Sequence, residues 1–533
     1  MYRIFLREGF LYEESVLYSE CRYSDSKEER ESFKGLLTEL KRNRLIKSRR
    51  QTGSREYSED DASLISEDDI DYYEYVGEET RTGKIQYLFK FVGVIVYGDR
   101  IIYVYPKYIE SSNYDYIYNE MKQIVNVIRK YQYKSYNFII PQFLEELEDG
   151  DCFSELALDM YLLFDYSENG LYCDSERVVE LNGDGEINWD KTIETITPIV
   201  KNNRPFYYDA FVSRSKVNYY SYFVRLHRYI LTEVSHQFEE TGLVDLFCLP
   251  RIEFSDENID DFGDVNYIYD SLLNALDQQY DDRKRAVLHA LSLYIKSKYL
   301  SERCLIESKD SGLQFFGSRA FHRIWEEVIN SVYVSHKQME FGDIQENDYH
   351  KLDYALLLPN GNSVFVQRTD LLNSCIEKPE WYIKDTPNHE PQMYLPSSSF
   401  IPDFLRFSEK DDCFYIMDAK YYLPKCTINC KNERKIEKQP GVEDVAKQYL
   451  YYFAFKKLLS KNRITNIENY FVMPTENEDH DAGYVRLGFL EELLQDRFNI
   501  RIKKFNAHNL FCCYLQDVHR DISEIREIDR TFN

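Results

Sequence analysis

The chain has 533 residues, of which 43% are hydrophobic and 16% aromatic, enough for several packed cores and incompatible with wholesale disorder. Its formal net charge of -26 at pH 7 excludes a protein that coats nucleic acid by bulk attraction. A DNA-acting chain of this sign needs a local basic groove, or a partner that delivers the DNA. Arg3, Arg7 and Glu8 interrupt the opening residues where a signal peptide needs an apolar core, and no apolar run approaches a membrane span. The 11 cysteines sit mostly in apolar runs, as at Cys248, Cys413, Cys512 and Cys513, which is the usage of a reducing compartment. A soluble, cytoplasmic protein is expected.

Residues 27–43 read as a helix, followed by strand-like Leu45-Ile46-Lys47, an order shared with winged-helix elements. From 48 to 71 the chain is polar and charge-segregated, with Arg49, Arg50 and Arg55 before Glu59-Asp60-Asp61, as in a flexible connection or exposed loop. Residues 77–84 have a phosphate-loop flavour, but five residues separate Gly77 from Gly83 and Ile85 replaces the metal-binding hydroxyl. Nucleotide hydrolysis by this chain is therefore not expected. Residues 85–109 alternate as strands, with Gly98-Asp99 as a hairpin turn between β-branched runs.

The pattern then becomes helical, over 113–131, 153–166, 217–239, 267–279 and 283–299. Asn182, Asp184 and Glu186 alternate around glycines without the spacing of a calcium loop, and read as a turn leading into a structural Trp189. The 47 tyrosines are assigned to packing rather than base stacking, and the 10 histidines show no metal spacing. Cys426 and Cys430 lack the further ligands that zinc or an iron-sulfur cluster needs.

The chemistry concentrates in residues 401–422. Two short strands flank a polar turn, Ser408-Glu409-Lys410-Asp411-Asp412, and the second strand is an apolar run ending in Asp418-Ala419-Lys420. Pairing across the turn puts Asp403 and Asp418 at one end of the hairpin, and Lys420 shares the parity of Asp418. Two acids and an ammonium at a sheet end suit a Mg²⁺ site for phosphodiester hydrolysis. Upstream, residues 321–329 form an amphipathic helix with Trp325, Val328, Ile329 and Val332 on its buried stripe; Glu326 and Glu327 both flank that stripe. Downstream, Pro440-Gly441 opens a helix with Asp444, Gln448, Tyr451, Tyr452 and Phe455 on one side and Lys447 alongside. Lys425, Lys431, Arg434, Lys435, Lys438 and Lys447 are close enough in sequence to contact DNA phosphate.

Pro402-Asp403 and Asp418-Ala419-Lys420 resemble the PD-(D/E)XK nuclease superfamily, and Gln448 with Tyr452 is similar to its QxxxY helix. That resemblance implies Asp403, Asp418 and the Ala419 carbonyl as ligands of Mg²⁺ or Mn²⁺, Lys420 positioning the water, and Gln448 ordering the site. A Trp-Glu pair in related restriction nucleases points to Glu326 as a further ligand. Residues 91–95 (FVGVI), Tyr105-Pro106-Lys107-Tyr108 and 185–193 (GEINWDKTI) resemble LlaJI-type restriction nucleases, relatives of McrC. The expected fold is α+β and multidomain: a mostly β region over 1–110 with a winged-helix-like element and partner contact, a helical middle over 111–305, and an α/β PD-(D/E)XK domain over 306–533. The resemblance implies a Mg²⁺-dependent endonuclease subunit of a prokaryotic restriction system, acting on DNA with a McrB-like AAA+ GTPase and no membrane. Two other readings stand beside it: a RecB-like repair or CRISPR-adaptation nuclease, and a non-catalytic scaffold that stimulates an AAA+ motor.

Overall fold

The runs Val92-Gly93-Val94-Ile95 and Ile101-Ile102-Tyr103-Val104 are buried on successive residues, the signature of strands covered on both faces. The computed structural model describes residues 1–50, 85–136, 155–300, 312–352, 355–357, 363–365, 367–375, 381–383, 392–394, 400–428, 434–490 and 499–527. It joins the strands Val92–Tyr97 and Arg100–Tyr105 across Gly98, whose φ of +60° is open to glycine at no steric cost. Tyr2–Arg7 adds in parallel to Arg100–Tyr105. A second small sheet carries Ile85–Phe89 between Leu11–Glu13 and Ile46–Arg50. The expected first helix is Lys27–Arg42, capped by the Ser26 hydroxyl accepting from Glu29 N at 3.2 Å and buried through Phe33, Leu36, Leu37 and Leu40. The 77–84 stretch and most of 48–71 lie outside the described residues.

By internal contacts the chain forms two units, one of residues 2–135 with 317–533, the other of residues 136–316 with Met1. In the second, the helices Glu155–Asn169, Tyr222–Thr241, Val265–Gln278 and Asp282–Ile295 follow the expected pattern. The sequence reading missed the strands among them. Asp174–Leu181 and Phe211–Asn218 pair antiparallel, with Glu186–Ile187 on the outer side, and Ile199–Lys201 pairs with Arg204–Phe206. These strands are short or rich in Ser, Glu, Lys and Arg, so they lack the apolar alternation that announces a half-buried strand. The helix expected from 217 accordingly starts only at Tyr222, after the Ser221 cap. Trp189 is not a core residue either: it is 54% exposed at the start of a short helix. The turn before it is held by Asn182, which donates to Asp209 at 2.7 Å and accepts from Ala210 N at 3.0 Å.

His227 in the Tyr222–Thr241 helix is fully buried, and its Nδ1 accepts from Tyr172 N at 3.1 Å, a bond only the unprotonated nitrogen can accept. Burial, with Arg283 adding to it, pushes the imidazole down to about 3. The unfolded chain takes up this proton near about pH 6.5, so the stabilisation is complete above that pH and falls as pH drops toward the folded value. Thermal unfolding should show a loss of about 2 kcal/mol between about pH 6.5 and about pH 5 that His227→Gln flattens.

The last sheet has five strands in the order Phe404–Ser408, Cys413–Ala419, Asn466–Thr475, Ile500–Asn506, His480–Val485. The two outer pairs are antiparallel and the two inner pairs parallel. Cys413–Ala419 is buried at every position, with the helices Phe321–Val332 and Val442–Lys461 packed against it. Phe407, Phe414, Ile416, Tyr452, Phe455 and Phe471 share one core. The open edge of Phe404–Ser408 is covered by residues 333–336: His336 N donates to Leu405 O at 2.7 Å and Phe407 N to His336 Nδ1 at 3.2 Å. Covering a sheet edge removes a template for aggregation; here it also delivers Lys337 beside the hairpin. The molecule is thus mixed α/β with several sheets. Among the described residues, no helix is long and apolar enough to cross a membrane.

Candidate active site

Antiparallel register pairs Phe404 with Met417, and one step further brings Asp403 opposite Asp418. Asp418 is only 4% exposed, because it still belongs to the buried central strand. Asp403 sits just before its strand, and its Oδ2 accepts from Ala419 N at 3.2 Å. Burial is the main reason its carboxyl is pushed up to about 8; the adjoining Asp418 adds to the shift, while Lys420 and Lys337 oppose it.

Lys420 leaves the strand with its main-chain N donating to Val472 O at 2.9 Å. The same carbonyl accepts from Trp325 Nε1 at 3.1 Å, so a fully buried indole braces the point where the lysine emerges. The Lys420 ammonium lies 3.1 Å from Asp418 Oδ2 and 2.9 Å from Asp444 Oδ1. Burial disfavours that charge, but the two carboxylates outweigh it and raise its pKa. Sequence reasoning placed Asp444 on the correct helix face and gave it no role. It lies in the first turn of the helix, where its Oδ2 also accepts from Gly441 N at 3.3 Å.

Gln448 faces the sheet from the Val442–Lys461 helix and is 0% exposed. Neither atom of its side-chain amide has a hydrogen-bond partner among the described residues. Its main-chain oxygen accepts from Asn469 Nδ2 at 3.1 Å. Burial, with the nearby Asp418 and Asp403 adding to it, raises the pKa of Tyr451, one turn on, to about 12. Lys447 is exposed.

Glu326 is carried by the Phe321–Val332 helix. Lys337 holds its Oε1 at 2.9 Å, and the pair opens onto a polar cleft of about 570 Å³ that Glu327 and Arg323 also line. Glu327 Oε1 accepts from the Ser331 hydroxyl at 2.9 Å. Lys337, absent from the sequence reading, lies between the two sets of acids, paired with Glu326 and acting electrostatically on Asp403. Among the described residues, no three His, Cys, Asp or Glu side chains gather as a ready metal cage. The Asp403–Asp418 pair still fits a hard divalent cation, since two apposed, desolvated carboxylates and an orphaned amide one helix away are groups such an ion and its waters would satisfy.

Among the described residues the basic side chains do not share one face of the ribbon. Lys425–Ile428 pairs with Arg434–Glu437 in an exposed ribbon, and the register puts Lys425 and Lys435 on one face and Arg434 on the other. Lys431 and Cys430 lie outside the described residues.

A strand-end carboxylate pair with an adjacent lysine is a common arrangement for phosphodiester hydrolysis, and the sequence comparison gives the family. The model of the LlaJI restriction endonuclease family matches residues 91–355 and 360–507, and the chain belongs to that family. A relative from Bacillus subtilis (strain 168), the type II restriction enzyme BsuMI component YdjA, is 28% identical over 459 residues, 83% of this chain and 85% of that protein. McrC bound to McrB AAA+ hexamers from Thermococcus gammatolerans aligns over 97% of this chain and 100% of that chain, with a TM-score of 0.34 and 12% identity. A second structure of the Thermococcus gammatolerans McrBC complex covers 58% of this chain and 89% of its own, with a TM-score of 0.22 and 13% identity.

Proposed function

We propose that the chain is the cutting subunit of a prokaryotic restriction system, hydrolysing DNA phosphodiester bonds in a PD-(D/E)XK-type domain. The observation that carries this reading is the apposition of Asp403 and Asp418 with Lys420 beside them at the end of a buried strand. Asp403, Asp418 and the Ala419 carbonyl would hold Mg²⁺ or Mn²⁺, with Glu326 as a further carboxylate once Lys337 releases it. Such an ion polarises phosphate oxygens and acidifies a water when bound. The remaining work belongs to side chains. Lys420, fixed between Asp418 and Asp444, presents a positive charge to the phosphate and orients the attacking water. Gln448 supplies a buried amide that orders the site from the helix side.

A McrB-like AAA+ GTPase is the partner in this reading, recognising and moving the DNA while the N-terminal region stimulates it. The chain's formal charge of -26 favours that division of labour, because DNA grip can then reside largely elsewhere. The test is DNA cutting by the reconstituted system with nucleotide and Mg²⁺. Lys420→Ala should cut at least about a hundredfold more slowly, and EDTA should stop cutting altogether. Equal rates for native chain and variant reject the assignment of Lys420; no cutting by the native chain favours a scaffold. A brown purified sample would support the repair-nuclease alternative.

Lys425 and Lys435, on one ribbon face, are the phosphate contacts in this reading. The double variant Lys425→Ala/Lys435→Ala should lower the slope of log affinity against log salt by about 2, at roughly 0.9 per lost contact. An unchanged slope in fluorescence anisotropy removes the ribbon from the DNA path.

A further inference from the structure

Glu8 follows the first strand, and its carboxylate reaches the residue after Lys420. The Tyr421 hydroxyl donates to Glu8 Oε2 at 2.6 Å, and Lys107 N donates to the same oxygen at 3.3 Å. Around this contact the backbone is pinned on two sides: Glu8 N donates to Tyr105 O at 2.9 Å and Gly9 N to Phe89 O at 3.0 Å. The Lys107 ammonium lies 4.4 Å from the centre of the Tyr421 ring. Phe321, at the start of the helix that carries Trp325 and Glu326, packs on the ring from another side at 5.4 Å. A second bridge lies one strand over. Glu476, just after Asn466–Thr475, accepts from Glu110 N at 2.9 Å and from Ser111 N at 3.2 Å. The two strands joined by the Lys420–Val472 hydrogen bond are therefore both gripped just past their ends by the N-terminal region.

Resting on the nuclease reading, we infer that Glu8 is a positioning residue for Lys420, acting through the Tyr421 hydroxyl. Lys420 has its main-chain N fixed by Val472 and its ammonium by two acids, but its carbonyl side is set by the peptide into Tyr421. Anchoring that ring through its hydroxyl leaves the lysine little freedom to swing. The N-terminal sheet is in this sense part of the active site, although Glu8 and Tyr421 are 413 residues apart in sequence.

The test uses the full chain and begins without DNA or motor. Hydrogen–deuterium exchange is followed at the Lys420 amide in the native chain, Tyr421→Phe, Glu8→Ala and Glu8→Gln. Tyr421→Phe keeps the ring and loses only the donor, so it separates positioning from packing. Tyr421→Phe and Glu8→Ala should each raise exchange roughly tenfold, the double variant no further, and Glu8→Gln, which retains an acceptor, should stay near native. In the reconstituted system the same two variants should lower kcat about tenfold at unchanged KM. Native exchange at Lys420 in Tyr421→Phe overturns the proposal, as does a change in KM alone. Raised exchange with no cutting by the native chain keeps the structural link and removes the nuclease reading.

Discussion

Asp418→Asn should abolish DNA cutting, by about a thousandfold or more, and Asp403→Asn should do nearly the same. Both substitutions keep the side-chain shape, so the loss is one of charge. Stability should move the other way. In metal-free buffer near neutral pH, burial and the adjoining Asp418 hold the Asp403 carboxyl protonated at a cost, and Asp403→Asn removes that cost while retaining an oxygen for Ala419 N. Its thermal midpoint should rise by a few degrees, roughly what 1 kcal/mol produces in a domain of this size. Adding Mn²⁺ should then raise the midpoint of the native chain and leave Asp418→Asn where it was, since a ligand stabilises only the state that binds it. An identical Mn²⁺ response in both chains would show that the ion binds elsewhere.

The second large effect concerns Trp325. Its side chain is fully buried against the central strand, and its indole N–H is spent on Val472 O. Trp325→Ala should cost about 3–5 kcal/mol through the cavity it leaves. Trp325→Phe fills most of the space and should cost about 1 kcal/mol for the lost hydrogen bond. Denaturant unfolding of the two variants measures both, and equal costs would mean that the hydrogen bond, not the volume, dominates. The Phe variant should also cut more slowly, because Val472 O then holds Lys420 N without its second tether.

The hairpin was legible because everything it needs is local. A polar turn, an apolar strand and the alternation of side chains place Asp403, Asp418 and Lys420 together with no knowledge of the remaining chain. The helix face with Gln448 followed from periodicity in the same way. Lys337 was not legible: it reaches the hairpin on a segment that covers a sheet edge, 66 residues before Asp403 in sequence, and nothing in its neighbourhood announces that contact. Glu326 shows the limit of periodicity from the other side, since a stripe places a residue on a helix and leaves its partner open. The strands of 174–218 escaped because charged, exposed strands carry little hydrophobic signal, and the exposed Trp189 because a lone tryptophan is ordinarily read as core.

One unit of this protein is assembled from residues 2–135 and 317–533, with 181 residues (136 to 316) between the two stretches. During synthesis the first stretch emerges long before the strands it must grip, and the acids at 403 and 418 arrive with the earlier of those strands. A ribosome that stops before residue 403 therefore releases a polypeptide without the apposed carboxylates, so any chemistry they perform begins only with the second stretch.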